Sequence, residues 1–407
     1  MFLIDFIVRN KITLLNLSGA ILLLIAFSKI FDEFYRLVFL DSHNAAIDLK
    51  VLKRGVRLWF SDSAVPKELK TAMYPPASYA MLWPLIGWIK LSFARIVWTF
   101  TLIPSLVLVS YIFLKHSLAK GSEESFIALI IPLTLNATGV AIGNGQLGIQ
   151  VLVLMMGALL ILQRKEKHIS NDILVSLMIV LALIKPSVTA PFFWIILLVY
   201  PNYRVILLTI SIYLLLTIVP FYFRDSNMFD YFFFKEVTSV VKQTYSNVVY
   251  GTITGSSHGG YANLHSLLAF FGLERLNLIA SGILLIIFGF WVYLNKKADI
   301  WLLLAVTAIF SRLWMYHRVY DDILLIVPMI TLFRLIKLEH LSLNIRQISL
   351  VLLIITTVSM LAPARLQLIR PLSYLFIWGH IIVWFGLLFY FLYLIKKQYL
   401  SKSQFSY

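Results

Sequence analysis

The sequence predicts an all-α protein that crosses a membrane many times, and three observations predict it. Hydrophobic residues make up 60% of the 407 positions. Charged residues make up 13%, about half the share found in soluble domains. The apolar residues also run on without alternation, most clearly at 14–27, 151–163, 205–221, 278–294 and 376–395. A bilayer core of about 30 Å takes about 20 such residues per helical crossing. Strands are not expected as the spanning element, because an open sheet edge leaves its backbone groups unpaired in lipid.

Taken in order, the first apolar run reads as a crossing at 12–31. It is followed by Phe-Ser-Lys-Ile-Phe-Asp-Glu-Phe, without a small-residue cleavage site, so it is a retained helix rather than a signal peptide. An outer segment, 32–93, comes next. Its basic stretch at 41–59 reads as an amphipathic interfacial helix. Its segment 74–90 carries prolines at 75, 76 and 84 and reads as a short helix in the outer interface. Charge decides that last assignment. With Arg9 and Lys11 inside and 74–90 not crossing, the short basic loops at Lys115/Lys120, Arg164/Lys165/Lys167, Lys296/Lys297, Arg334/Lys337/Arg346 and Lys396/Lys397/Lys402 all fall on the cytoplasmic side. A crossing there would turn most of them outward.

The remaining crossings read as 94–114, 124–141, 146–163, 171–184, 187–200, 203–222, 276–294, 299–314, 322–336, 347–363 and 373–396. The total is about 12, with both termini cytoplasmic. A second outer segment, 223–275, is rich in Tyr and Phe and reads as structured, like the first. No internal repeat or domain boundary appears, so 1–407 reads as one membrane domain. The absence of cysteine excludes disulfides. The net charge of +16 fits basic cytoplasmic loops or an anionic partner. Nucleic acid is excluded as a partner, since no soluble basic domain exists to hold it.

Ionisable groups beside apolar spans are expensive and mark function by default. Asp41 and Asp48 stand seven positions apart, on one face if helical, among Arg36, Lys50, Lys53, Arg54 and Arg57. Asn144 and Gln146 lie in a glycine-rich turn that fits a hydroxylated ligand or simply joins two antiparallel helices. Lys185 precedes a helix-stopping proline, where it either holds a phosphate or snorkels. The densest group is Arg312, His317, Arg318, Asp321 and Asp322. His317 and Asp321 are four apart, so the carboxylate can orient the imidazole on a helical face. A buried structural ion network is the alternative reading. No motif has metal-ligand spacing, so neither a metal nor another cofactor is expected.

In this order the pieces resemble glycosyltransferase family 87, of the GT-C superfamily of polytopic enzymes that use polyprenyl-phosphate sugars, among them mannosyl- and arabinofuranosyltransferases. Asp41 leads to Gly55 and Trp59 in the family's register, and Tyr74-Pro75-Pro76 and Pro84-Leu85 match its next segments. Gly145-Gln146, Lys185-Pro186, Asn263 to Ser266, and Ser311 to His317 complete the series over most of the chain. The sequence departs from the pattern in Ser42, where an aromatic or hydrophobic residue is common, and in Asp48, which replaces a small residue. The charged stretch near 317 is also richer than in the family's mycobacterial members.

The resemblance implies a GT-C-type bundle in a bacterial plasma membrane, with the active site on the outer face. A polyprenyl-phosphate sugar would be the donor, and a glycan or glycolipid the acceptor, among membrane lipids. Asp41 would act as general base in an inverting transfer, with His317 as a second proton-transfer group or phosphate ligand. Arg95, Lys185, Arg312 and Arg318 would be the phosphate-binding candidates. Asp48, Tyr74, Asn144, Gln146, Asn263 and Asp321 would contact sugar or acceptor. Two rival classes remain: a lipid or sugar transporter or flippase, and a ligase or polymerase using a polyprenyl-diphosphate glycan.

Overall fold

A computed structural model describes residues 11–42, 44–61, 74–164, 168–223, 263–363, 366, 369 and 372–397. Arg9, Lys165, Lys167, Lys402 and most of the second outer segment lie outside the described residues. Among the described residues there is helix and no strand. The helices are α1 (Lys11–Val38), α2 (Ile47–Trp59), α3 (Pro76–Leu82), α4 (Leu91–His116), α5 (Gly121–Thr134), α6 (Asn136–Asn144), α7 (Gly148–Leu162) and α8 (Ile169–Ala182). They continue as α9 (Pro186–Leu198), α10 (Tyr203–Tyr222), α11 (Leu264–Phe270), α12 (Asn277–Asn295), α13 (Ile300–Leu313), α14 (Ile326–Lys337), α15 (Leu343–Leu361) and α16 (Leu372–Lys396).

Six helices, α1, α4, α10, α12, α15 and α16, are long and apolar enough to cross a membrane. They carry exposed Leu17, Leu24, Phe27, Phe100, Leu215, Ile286, Val358 and Phe389 on their outward faces. Apolar surface of that extent suits lipid and not water. The crossing expected at 124–141 is broken: α5 and α6 meet at a 46° bend. Leu135 takes an extended backbone there, and Thr138 Oγ1 donates to the Pro132 carbonyl at 2.6 Å. The freed Thr134 carbonyl accepts from Lys29 Nζ of α1 at 2.5 Å.

Four expected crossings, at 146–163, 171–184, 187–200 and 299–314, are the shorter apolar helices α7, α8, α9 and α13. At about 1.5 Å per residue they fall short of a 30 Å core. α13 is buried along almost its whole length, so protein rather than lipid meets its sides. The span expected at 322–336 also shortens. Val319–Leu325 forms a 3₁₀ turn, and α14 begins only at Ile326, because Asp321 and Asp322 are drawn into ion pairs.

In the segment 74–90, α3 and the π-helical turn Trp83–Gly87 together hold fewer residues than a helical crossing takes. Its first turns, however, are not laid on the interface: Pro76–Leu82 are all buried, packed on α2 and α10. Trp83, Leu85 and Trp88 are the exposed part.

Polar contacts collect at two ends of this bundle. At one end Arg334 donates to the His116 carbonyl at 2.9 Å, Lys120 pairs with Glu339 at 2.7 Å, and Lys337 pairs with Glu124. At the other end lie α2, α3, the α6–α7 and α8–α9 junctions and residues 314–325, joined by the contacts described next.

Candidate functional site

Each junction at this second end is shaped by a residue with a local backbone reason. Gly145 closes α6 in the left-handed conformation, φ 68°, and a Cβ there would meet Leu49 Cβ of α2 at 2.7 Å. Pro76 and Pro186 begin α3 and α9, where a missing N–H costs nothing. Gly55 leaves room for the Tyr79 ring, which a Cβ would meet at 2.6 Å. Tyr79 then stacks on Trp59, ring centres 5.6 Å apart. Ser78 Oγ donates to the Ile184 carbonyl at 2.8 Å, tying α3 to the α8–α9 junction.

These junctions bring charge together. Lys185 Nζ lies 2.5 Å from Asp321 Oδ1 and 3.4 Å from Gln146 Oε1, over the Tyr320 ring at 4.9 Å. His317 Nδ1 stands 3.0 Å from the other Asp321 oxygen, which also accepts from the Arg318 backbone N–H at 3.3 Å. Arg318 Nε donates to the Tyr316 hydroxyl at 2.9 Å. Asp48 of α2 reaches the same place, with Gln146 and Asn144 as hydrogen-bonding neighbours and Arg318 and Lys185 as the nearby cations. Five separate stretches of chain therefore converge: α2, the α6–α7 turn, Lys185, residues 316–321 and Tyr74, which feels both Asp48 and Asp321.

The electrostatics divide the carboxylates. Burial pushes Asp48 above its ordinary value, and Gln146, Arg318, Lys185 and Asn144 only partly oppose it. Burial acts the same way on Asp321, but Lys185 and His317 overcome it and hold that carboxyl well below the usual range. Burial lowers the His317 imidazole against the opposing pull of Asp321. Nδ1 of the ring faces Asp321, and Nε2 is buried without a hydrogen-bond partner.

The other expected residues are placed differently. Asp41 lies in the turn before α2, fully exposed, with Arg95 Nη2 of α4 at 4.0 Å. Arg95 itself is buried; Nη1 donates to the Leu40 carbonyl at 3.2 Å, while Nε and Nη2 lack hydrogen-bond partners. Arg36 ties this turn to the cluster through the Asn44 carbonyl and the Asn144 side chain, both at 3.1 Å. Arg312 is fully buried, 2.5 Å from Asp322 and over the Trp384 ring, so it braces α13 against α16 and the 3₁₀ turn. Asn263 caps α11 through Ser266.

Sequence reasoning missed a neutral polar group beside His317. His265 Nε2 meets Ser281 Oγ at 2.7 Å, and Ser281 donates to the Trp314 carbonyl at 3.1 Å. Asn277 is buried with both side-chain atoms unpartnered. Its one signal was His265 two positions after Asn263, which spacing alone does not distinguish from an ordinary helix cap.

The sequence pattern of glycosyltransferase family 87 matches residues 72–328, more than half of the 407-residue chain. No curated protein and no solved structure matches it.

Proposed function

The chain belongs to glycosyltransferase family 87, and on that premise we propose that this membrane glycosyltransferase moves one mannose- or pentose-like sugar from a polyprenyl-phosphate donor. The acceptor is a lipid or glycan at the non-cytoplasmic face, and the transfer inverts the anomeric centre. The observation that carries this reading is the gathering of Asp48, Lys185, His317, Arg318 and Asp321 at one end of an apolar bundle. A phosphate leaving group needs preorganised cations where its charge develops. Arg318 and Lys185 supply them here, Lys185 from its ion pair with Asp321; Arg312 is enclosed in the interior with Asp322.

Asp41 takes the proton from the acceptor hydroxyl. Its open carboxylate is reachable, with the Arg95 guanidinium 4.0 Å away. Asp48, Asn144 and Gln146 read the sugar hydroxyls, with Tyr74 at the same wall. His317 offers Nε2 to a substrate hydroxyl, its tautomer set by Asp321.

The test is transfer from a panel of radiolabelled polyprenyl-monophosphate sugars, in membranes holding wild type or Asp41→Asn. Label reaching acceptor with wild type, and falling by about 10²–10⁴ in the variant, supports both the class and the base. Transfer that survives Asp41→Asn but is lost in Asp48→Asn moves the base to Asp48. No transfer from any donor with intact protein removes the reading, and lipid-scrambling and uptake assays then decide for a transporter.

A further inference from the structure

α2 breaks the charge rule that the rest of the chain obeys. Basic residues of multispanning proteins concentrate in the cytoplasmic loops, and here those loops form the end with Lys120, Arg334 and Lys337. Yet α2, at the opposite end, carries Lys50, Lys53, Arg54 and Arg57 in 13 residues, with Asp48 as its acid. Positions 50, 53, 54 and 57 share one helical face, and like charges at that spacing weaken a helix. Topology does not call for them and helix stability opposes them.

That face lines a cleft of about 540 Å³, formed by Lys50, Lys53, Arg54, Arg57, Ser61 and Leu91. Lys50, Lys53 and Arg57 have no carboxylate partner among the described residues. Lys53 is buried and donates to the carbonyls of Ile86 and Ile89, so the row is anchored to the π-helical turn after α3 and the residues just beyond it. Lys50 donates to the Ser42 carbonyl at 2.9 Å, which puts the cleft beside the turn that carries Asp41. One helical turn on from Leu91 stands Arg95, buried with Nε and Nη2 lacking hydrogen-bond partners. Asp41 stands 4.0 Å from Nη2, beyond hydrogen-bond reach, and Nε has no hydrogen-bond partner, so this guanidinium keeps capacity for an anion that comes closer.

We propose that this cleft is a binding site for a phosphate group at the outer membrane surface, seated on Lys50, Arg54 and Arg57 and directed toward Arg95. The phosphate comes from a lipid headgroup or from free phosphate. A lipid held there would lie against the Asp41 turn, in the position from which an anionic acceptor presents its hydroxyl. Each interfacial arginine contributes about fivefold to binding an anionic headgroup.

The experiment uses the full chain in neutral detergent, titrated with short-chain phosphatidylglycerol, short-chain phosphatidylcholine and inorganic phosphate, followed by thermophoresis. It needs no transfer activity, so it fails separately from the enzymatic reading. Wild type is expected to prefer phosphatidylglycerol, Arg54→Gln/Arg57→Gln to lose at least about fivefold, and Arg54→Lys/Arg57→Lys to keep most of the affinity. Equal affinity for the two lipids, or a Gln pair indistinguishable from wild type, overturns the site. Displacement of phosphatidylglycerol by inorganic phosphate assigns it to free phosphate; resistance to displacement assigns it to lipid.

Discussion

Asp321 is the residue on which the cluster turns, because its two oxygens serve Lys185, His317 and the Arg318 backbone at once. Its neighbour His317 carries a prediction whose sign follows from burial. The folded imidazole lies below its ordinary 6.5, so unfolding favours proton uptake. The resulting stability is present above the unfolded value and is lost as pH falls below it. Asp48, raised by burial, works in the opposite sense: its contribution is present below the unfolded carboxylate value and is lost as pH rises through the folded one. Melting midpoints of wild type and His317→Gln between about pH 7.5 and about pH 5 isolate the imidazole. Wild type should lose stability faster on acidification; parallel slopes would mean that burial does not perturb His317. These roles were half legible. The contact expected of His317 and Asp321 forms, but from the chain before the 3₁₀ turn and not on one helical face, whereas the pairing of Arg312 with Asp322 under the Trp384 ring was not legible in the spacing.

At the scale of elements, the broken helix α5–α6 against α1 decides the geometry below the site. Gly139 and Gly143 lie one turn apart and face Lys29, Glu33 and Arg36 of α1. A Cβ on Gly143 would overlap the Glu33 carboxylate and the Arg36 guanidinium, which pair with each other. Arg36 would then release Asn144, and with it the turn that presents Gln146. Gly143→Ala is therefore expected to lower stability by about 1–3 kcal/mol. Gly282→Ala, with open space around its Cβ, should be neutral or stabilising by up to about 1 kcal/mol. Thermal melting of both variants in detergent checks the contrast, and equal effects would remove the packing argument. The sequence announced the glycine-rich turn, and Pro132 stands three residues before the break at Leu135. The tertiary structure adds Lys29, which captures the carbonyl that the bend frees.

For the whole molecule, sidedness is the testable property. The chain has no cysteine, so single cysteines report it directly. With a membrane-impermeant thiol reagent on intact cells, Arg54→Cys should label without permeabilisation and Lys297→Cys only after it. The reverse pattern would invert the topology derived from loop charge. The sequence by itself determined the class of protein: long apolar runs in lipid leave helix as the way to satisfy every backbone group. It also carried the expectation that 74–90 does not cross, because a crossing there would turn most of the basic loops outward. Only the tertiary structure decided that α7, α8, α9 and α13 are shorter than the spans read from hydropathy and that α13 is enclosed by protein, since hydropathy cannot tell a core helix from a lipid-facing one. It likewise decided which charges meet. Asp48, Lys185 and Asp321 are far apart in sequence, and their convergence follows from how α2, the α6–α7 turn and the 3₁₀ turn pack at one end of the bundle. Composition records that such charges exist; mutual burial selects their partners, because an ion enclosed without one costs several kcal/mol.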